Sequence, residues 1–227
     1  MAPTSATTIK MTDQQVPGSC EKRSGVVGTI HDQFIFSRRT RVLADHLANL
    51  IPPGSRVLDV GCGDGTIDCL IKEHQPDLEI EGIDPLLRPK THIPVRTFDG
   101  EHIPYPDRSF DVVMFVDVLH HTTDPRILLH EAARVGKAVL IKDHFREGFL
   151  ANEILRLMDW VGNARHGVAL PYNYWPNAEW LAAFDELGLN IRTMKYKLNL
   201  YPIPLSWFFD RSLHFIALCG RGNSPCG

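Results

Sequence analysis

Short continuous apolar runs alternate along the chain with segments whose apolar residues recur every three to four positions. Continuous runs of this length, bounded by turn residues, are typical of buried strands, and the wider spacing is typical of amphipathic helices. Strands are predicted at Arg56–Val60, Leu78–Ile83, Val95–Phe98, Phe110–Val116 and Lys137–Ile141, and helices at Asp32–Leu50, Thr66–His74, Asp124–Val135, Phe149–Val161 and Asn177–Leu187.

The regular alternation of strands with helices predicts a parallel sheet covered by helices on both faces, because crossover connections are right-handed. Two further strand-like runs, Asn190–Leu198 and His214–Cys219, have no helical pattern between them. The sheet is therefore expected to close with an antiparallel edge. The predicted fold is a doubly wound α/β domain over residues 25–221, between tails at 1–24 and 222–227.

Composition narrows the partners of this domain. The 227 residues include 24 Lys and Arg against 27 Asp and Glu, which gives a net charge of −3. This charge argues against a nucleic acid as the main partner, although it does not exclude RNA as an enzyme substrate. The longest apolar stretch, Val112–Leu119, is interrupted by Asp117 and is too short to span a membrane. The five cysteines are widely spaced and odd in number, which predicts free thiols and a cytoplasmic protein.

A glycine-rich turn follows the first predicted strand. Gly61, Gly63 and Gly65 alternate with other residues, two positions after Asp59. Missing side chains let a ligand lie against the backbone, and this end of the first strand is where doubly wound sheets bind nucleotide-like ligands. Thr66 stands where the dinucleotide fingerprint has its last glycine, which weakens a nicotinamide-dependent reductase. A tight turn that binds nothing is the alternative.

Acidic residues end the next two predicted strands. Asp84 lies about 20 residues beyond the glycine turn, the spacing at which nucleoside-binding units place an acceptor for ribose hydroxyls. Asp99 and Gly100 end the third strand, where a carboxylate could accept from an exocyclic amine. A solvated acid and an Asp-Gly turn are the structural alternatives.

The segments Val57–Gly65, Pro104–Val113, Asp117–His121 and Glu131–Val135 together resemble class I S-adenosylmethionine-dependent methyltransferases. The resemblance covers roughly residues 32–142. It implies a Rossmann-like seven-stranded sheet of order 3-2-1-4-5-7-6 with strand 7 antiparallel, and S-adenosylmethionine as cofactor. It assigns the methionine and ribose side to Asp59, Gly61, Gly63 and Gly65, the ribose hydroxyls to Asp84, and adenine to Asp99 and Gly100, with Asp117 as a further cofactor-binding candidate.

Methyl transfer of this kind needs a general base only if the acceptor must lose a proton. Candidate bases follow the fourth and fifth strands. His121 matches a frequent position in the family and is the first choice, although the histidines could instead only shape the turn. The catalytic candidates are His121, His120, Asp143 and His144. A divalent ion over Asp117, Asp143 and His144 is a weaker alternative, and no metal ligand is assigned.

An aromatic-rich segment over about 159–176 lies between two predicted helices. A loop at this place in the fold, rich in rings, predicts a lid over a small, apolar or planar substrate. Packing of the rings onto the sheet is the alternative. The predicted substrate-binding residues are His166, Tyr172, Tyr174 and Trp175.

The leading hypothesis is an enzyme that transfers a methyl group to a small organic molecule. Its rival is a subunit that binds S-adenosylmethionine without turnover. Both hypotheses predict cofactor binding at the glycine turn, so only turnover separates them.

Overall fold

The computed structural model of the protein describes residues 30–147, 151–153, 155–156, 173–203, 206–209 and 213–221. The strands are β1 Arg56–Val60, β2 Glu79–Asp84, β3 Val95–Thr97, β4 Phe110–Val116, β5 Gly136–His144, β6 Leu189–Lys195 and β7 His214–Arg221. The helices are α1 Ile30–Ala48, α2 Thr66–His74, α3 Pro125–Val135, α4 Asn177–Glu186 and the short α5 Ser206–Phe209, with one turn of 3₁₀ helix at Leu119–His121.

Seven strands form one sheet in the order β3-β2-β1-β4-β5-β7-β6. β1 pairs in parallel with β2 and β4, and β5 pairs in parallel with β4, whereas β7 runs antiparallel between β5 and β6. This confirms the predicted fold class, strand order and antiparallel edge. The parallel arrangement brings the carboxyl ends of β1, β2, β4 and β5 to one edge of the sheet.

Some element boundaries differ from the prediction. β5 extends to His144, three residues beyond the predicted end, because it keeps pairing with β7 as far as the His144–His214 pair. β6 ends at Lys195, before the predicted Leu198. Of the helix predicted at 149–161, the described residues 151–153 and 155–156 are helical. The tails at 1–24 and 222–227 lie outside the described residues.

Apolar packing on both faces fixes the sheet. Leu43 of α1 and Ile71 of α2 pack on one face, and Leu129 of α3 and Trp180 of α4 pack on the other. Most of β4 is buried because helices cover both sides, which explains its continuous apolar run. The loops at the carboxyl edge are therefore carried by a rigid support. None of the described helices is long and apolar enough to cross a membrane.

Candidate functional site

The glycine turn after β1 has the backbone conformation that the sequence predicts. Gly61, Gly63 and Gly65 have φ of +80°, +59° and +74°. A Cβ on Gly61 would lie 2.6 Å from the side chain of Val118, and one on Gly65 would lie 2.6 Å from Ile93, whereas one on Gly63 would meet nothing within 4 Å. Two of the glycines are thus required by packing, and the third leaves open space above the turn.

Asp84 at the end of β2 lies against this turn. Its carboxylate accepts hydrogen bonds from the backbone N–H of Gly63 at 2.9 Å and of Leu86 at 2.8 Å. The side chain is buried apart from a small exposed fraction. The predicted ribose acceptor is therefore held at a fixed position beside the open space at Gly63.

Asp59 and Asp68 form a buried carboxyl pair behind the turn. Asp68 belongs to the first turn of α2, and the two carboxyl groups contact each other. Asp59 Oδ1 and both carboxyl oxygens of Asp68 have no hydrogen-bond partner among the described groups. Sequence reasoning missed Asp68. Its signal is the helical spacing of three from Ile71, which places the acid on the buried face of α2.

Asp99 and Gly100 make a turn after β3. The Asp99 carboxylate accepts from the backbone N–H of Glu101 at 2.8 Å and of His102 at 2.7 Å. These donors, together with the imidazole of His102, lower the pKa of Asp99 to about 2. Gly100 has φ of +91°. The pair stands at the predicted edge, and its contact with adenine stays a prediction.

His120 and Asp143 form a buried hydrogen-bonded pair at the carboxyl ends of β4 and β5. His120 Nδ1 lies 2.7 Å from Asp143 Oδ1, and Asp143 also accepts from the backbone N–H of Leu119 and His144. Burial opposes ionisation of Asp143, but His120 and His144 together hold its pKa well below its usual range. Asp143 is therefore a carboxylate that fixes the orientation of the His120 ring.

Asp117 is surrounded by cationic side chains that could not be placed beside it from the sequence. Its carboxylate lies 2.6 Å from Arg39 of α1 and also pairs closely with Lys142 of β5. Burial opposes its ionisation, but Lys142, His144 and Arg39 lower its pKa well below the usual range. The one sequence signal for Lys142 is a charged residue inside the apolar run of β5. These contacts leave Asp117 neutralised in place, at a strained φ of +57°.

Aromatic and imidazole rings line the same edge. The ring centroid of His120 lies 4.1 Å from that of His121, and the His120 ring stacks on Tyr174 at 5.2 Å. His144 meets His120 edge-on at 4.9 Å and contacts His214 at 4.8 Å. Burial and the neighbouring Lys142 lower the pKa of His144 to about 4. The edge is thus a wall of flat rings with neutral His144 among them at pH 7. We call this group of rings, formed by His120, His121, His144, Tyr174 and His214, the ring wall.

The structure brings three of the four catalytic candidates into one group, since donor atoms of His120, Asp143 and His144 lie within 4.8 Å of one another. His121 lies beside this group. Such a group offers a ligand set for a metal, but the Asp117 carboxylate of the weaker alternative is taken up by two cations. The assignment of each residue to catalysis stays a prediction.

Two of the predicted substrate residues are described, and they face different neighbours. Tyr174 joins the ring wall and donates its hydroxyl to the Leu155 carbonyl at 3.2 Å. Trp175 packs between Trp180 and the guanidinium of Arg126, which favours a packing role. His166 and Tyr172, and the lid up to residue 172, lie outside the described residues.

The neutral His144 predicts a loss of stability in acid. A histidine whose folded pKa is depressed contributes stability that is present above pH 6.5 and is lost as pH falls toward 4. Between pH 7 and pH 5, this protonation should lower the free energy of unfolding of the wild type by about 2 kcal/mol. We expect urea unfolding of His144→Phe to lack this part of the decrease. The exposed His130→Phe is the control. An unchanged pH dependence in His144→Phe would contradict the prediction.

Known protein families and solved structures show which family this chain belongs to. Residues 34–194 match the family model described as a methyltransferase domain. The chain belongs to this methyltransferase family. Solved structures of this methyltransferase fold agree: a Haloferax volcanii protein in complex with the Trm112 methyltransferase activator has a TM-score of 0.63 at 18% identity, covering 85% of this chain and 94% of that chain. An S-adenosylmethionine-dependent methyltransferase from Aquifex aeolicus has 0.56 at 16%, covering 81% and 92%.

Curated relatives of this methyltransferase share part of its sequence. The 27-O-demethylrifamycin SV methyltransferase of Amycolatopsis mediterranei is 32% identical over 42% of this chain and 40% of the relative. A ubiquinone/menaquinone biosynthesis C-methyltransferase of Cupriavidus metallidurans is 28% identical over 64% and 67%. The chain thus matches two fifths of the first relative's length. The prediction of a class I S-adenosylmethionine-dependent methyltransferase is confirmed.

Proposed function

We propose that this methyltransferase transfers the methyl group of S-adenosylmethionine to a small, planar organic acceptor whose nucleophile must first lose a proton. The observation that carries the proposal is the buried His120–Asp143 pair, with ring nitrogen and carboxylate oxygen 2.7 Å apart, inside the ring wall. A purely positional mechanism for a neutral nucleophile needs no such pair.

The residues at the glycine turn fit the proposed cofactor. The open space above Gly63 admits a ligand against the backbone. Asp84, nearly buried beside it, is an acceptor suited to ribose hydroxyls, and the unpartnered oxygens of Asp59 and Asp68 suit a positively charged ligand. When bound, S-adenosylmethionine would supply an electrophilic methyl group on a sulfonium, and the C–S bond would break with S-adenosylhomocysteine as the leaving group as the acceptor's nucleophile bonds to the methyl carbon in line.

The His120–Asp143 pair supplies the proton acceptor. Asp143 fixes the ring through Nδ1, so the proton of the acceptor would be taken by Nε2 of His120. Asp143 then stabilises the imidazolium that forms. This assignment prefers His120 to the first sequence choice, His121, because Nδ1 of His120 lies 2.7 Å from the buried Asp143 carboxylate, which fixes the ring.

The acceptor class follows from the ring wall. Tyr174 and the imidazoles offer flat faces that suit a planar ring. The names of two relatives, a rifamycin methyltransferase and a quinone-pathway C-methyltransferase, fit acceptors of this kind. A phenol or enol acceptor would gain from losing its proton, because the oxyanion or its conjugated carbon is the stronger nucleophile.

Turnover tests this proposal against its rival. We expect the protein to form S-adenosylhomocysteine in the presence of hydroquinones, phenols or polyketide-like enols, at rates above those without acceptor. Tight cofactor binding with no product on any acceptor of the panel would favour the rival, a subunit that binds S-adenosylmethionine without turnover. In that case the His120–Asp143 pair would only shape the turn.

Replacement of Asp84 tests the ribose contact. We expect Asp84→Ala to raise the dissociation constant of S-adenosylmethionine roughly ten- to a hundredfold, because charged hydrogen bonds are worth about 1.5–3 kcal/mol. Titration calorimetry measures this change, and thermal melting checks that the turn persists without the bond to Gly63. The exposed Asp77→Ala removes one charge elsewhere and should bind as the wild type does. Equal dissociation constants for both variants would refute the assignment.

A further inference from the structure

The connection between β6 and β7 exposes two large apolar side chains. Ile203 is 75% exposed and Trp207 is 66% exposed, the highest values among the large apolar side chains of the described residues. The Pro202 carbonyl accepts a hydrogen bond from the backbone N–H of Ser206 at 3.0 Å, so the chain approaches itself here and keeps Ile203 near Trp207. We call these two side chains the apolar tip.

The apolar tip lies at the same edge of the sheet as the candidate site. Because β7 runs antiparallel to both β5 and β6, β6 ends and β7 begins at the carboxyl edge. The connection is anchored there before it reaches the tip. The Leu198 carbonyl lies 3.0 Å from Nε2 of His46 in α1, and the ring centroid of Tyr201 lies 6.1 Å from that of His214 in the ring wall.

Positive charge is concentrated around the apolar tip. Arg38 of α1 donates to the Asn199 carbonyl at 3.4 Å, which holds α1 against the connection. Residues 33–44 and 187–209 contain no acidic residue but six basic ones, Arg38, Arg39, Arg41, Arg192, Lys195 and Lys197, although the whole chain has a net charge of −3. Arg39 is paired with Asp117. We call the partly or fully exposed Arg38, Arg41 and Lys197 the basic rim.

The size and charge of this surface suit a lipid membrane better than a protein. Two side chains cannot supply the roughly 800 Å² that each partner buries in a stable protein complex. A second copy bound through a two-fold axis would bring one basic rim against another. An aromatic and an aliphatic side chain beside basic residues are, in contrast, typical of segments that rest on anionic lipids, where apolar insertion and charge attraction add.

We propose that the protein docks onto an anionic lipid surface, with the apolar tip inserted among the lipids and the basic rim on their headgroups. Docking places the carboxyl edge beside the bilayer, so that a planar acceptor with an apolar tail reaches the ring wall from the lipid. The docking itself is independent of the proposed function, whereas the tailed acceptor rests on it.

Co-sedimentation with lipid vesicles tests the docking. We expect the full chain to bind vesicles of equal parts phosphatidylcholine and phosphatidylglycerol more tightly than vesicles of phosphatidylcholine alone, and to lose this preference as salt rises from about 0.05 to 0.5 M. Trp207→Ser should weaken binding about tenfold or more. The double variant Arg41→Gln, Lys197→Gln should weaken it about fivefold for each charge removed.

Matched variants at the opposite end of the sheet serve as controls. Leu181 of α4 is 41% exposed and lies near Gly188 and Asn190, where β6 begins, so Leu181→Ser should bind vesicles as the wild type does. Lys72 in the last turn of α2 and Arg221 at the end of β7 are exposed, and the double variant Lys72→Gln, Arg221→Gln should also leave binding unchanged. Melting temperatures check the fold of every variant.

Tryptophan emission shows whether the tip enters the lipid. Among the described tryptophans, Trp175 and Trp180 are buried, whereas Trp207 is exposed. Vesicle binding should therefore shift the emission to shorter wavelength in the wild type. Trp207→Phe should keep most of the binding and lose the shift, because phenylalanine keeps an apolar ring at the tip.

Three results would overturn the docking: no binding to anionic vesicles, equal binding to neutral and anionic vesicles, or equal binding by the wild type and Trp207→Ser. A wild type that ignores vesicles but forms a dimer that Trp207→Ser loses would assign the tip to a second copy instead. Failure of the docking leaves S-adenosylhomocysteine formation with water-soluble acceptors intact. Failure of the proposed function leaves vesicle binding intact and removes only the tailed acceptor.

Discussion

Turnover of the variant His120→Gln is expected to be about 10²–10⁴-fold lower than that of the wild type, with cofactor affinity changed by no more than a few-fold. Glutamine keeps a polar contact with Asp143 but cannot take a proton near neutral pH. The loss should appear in kcat, because His120 acts on the acceptor's proton and not on the adenosine. Steady-state rates with an acceptor found in the panel, and calorimetry with S-adenosylhomocysteine, measure the two effects.

The pH profile separates a base from a residue that only supports the turn. The wild-type rate should rise with pH as the imidazole loses its proton, and this limb should be absent from His120→Gln. Asp143→Asn tests the positioning role and should lower kcat while leaving a shifted limb in place. His121→Gln is the matched comparison. If His121→Gln loses the limb and His120→Gln keeps it, the base is the first sequence choice, His121.

Addition of a side chain at Gly63 is expected to weaken S-adenosylmethionine binding by roughly a hundredfold or more. The Cβ of Gly63→Val would project into the space where no protein atom lies within 4 Å, so the added methyl groups compete with the ligand and not with the fold. Overlap of this size costs about 1–3 kcal/mol or more. The dissociation constant is measured by calorimetry beside the melting temperature.

A second glycine gives the matched control for backbone strain. Gly188, after α4, has φ of +64° against +59° at Gly63, and a Cβ there also meets nothing within 4 Å. A valine held in the left-handed region strains the backbone by a similar amount at both sites. We expect both variants to lose similar stability and only Gly63→Val to lose binding. Equal affinity in the two variants would show that the space above Gly63 is not part of the cofactor site.

The fold could be predicted from the sequence because local patterns specify its helices, strands and turns. Alternating buried runs and helical spacings set the element order, and the missing helix between the last two strand-like runs predicted the antiparallel edge that β5, β7 and β6 form. The alternate glycines predicted the left-handed turn, since few other residues adopt φ near +60° to +80°. Asp84 was found from its spacing to that turn, and it does lie against Gly63.

The tertiary structure alone decided which side chains meet at the carboxyl edge. Arg39 and Asp117 are 78 positions apart, and Lys142 and His214 are 72 apart, so no local pattern could pair them. The choice between His120 and His121 depends on which ring points toward Asp143, which the spacing of neighbouring residues in a 3₁₀ turn does not specify. The tertiary structure likewise buries Asp68, an acid in the first turn of a helix, beside the buried Asp59. Local periodicity determines the elements, whereas side-chain direction and burial depend on contacts between distant segments, and these decided the chemistry of the site.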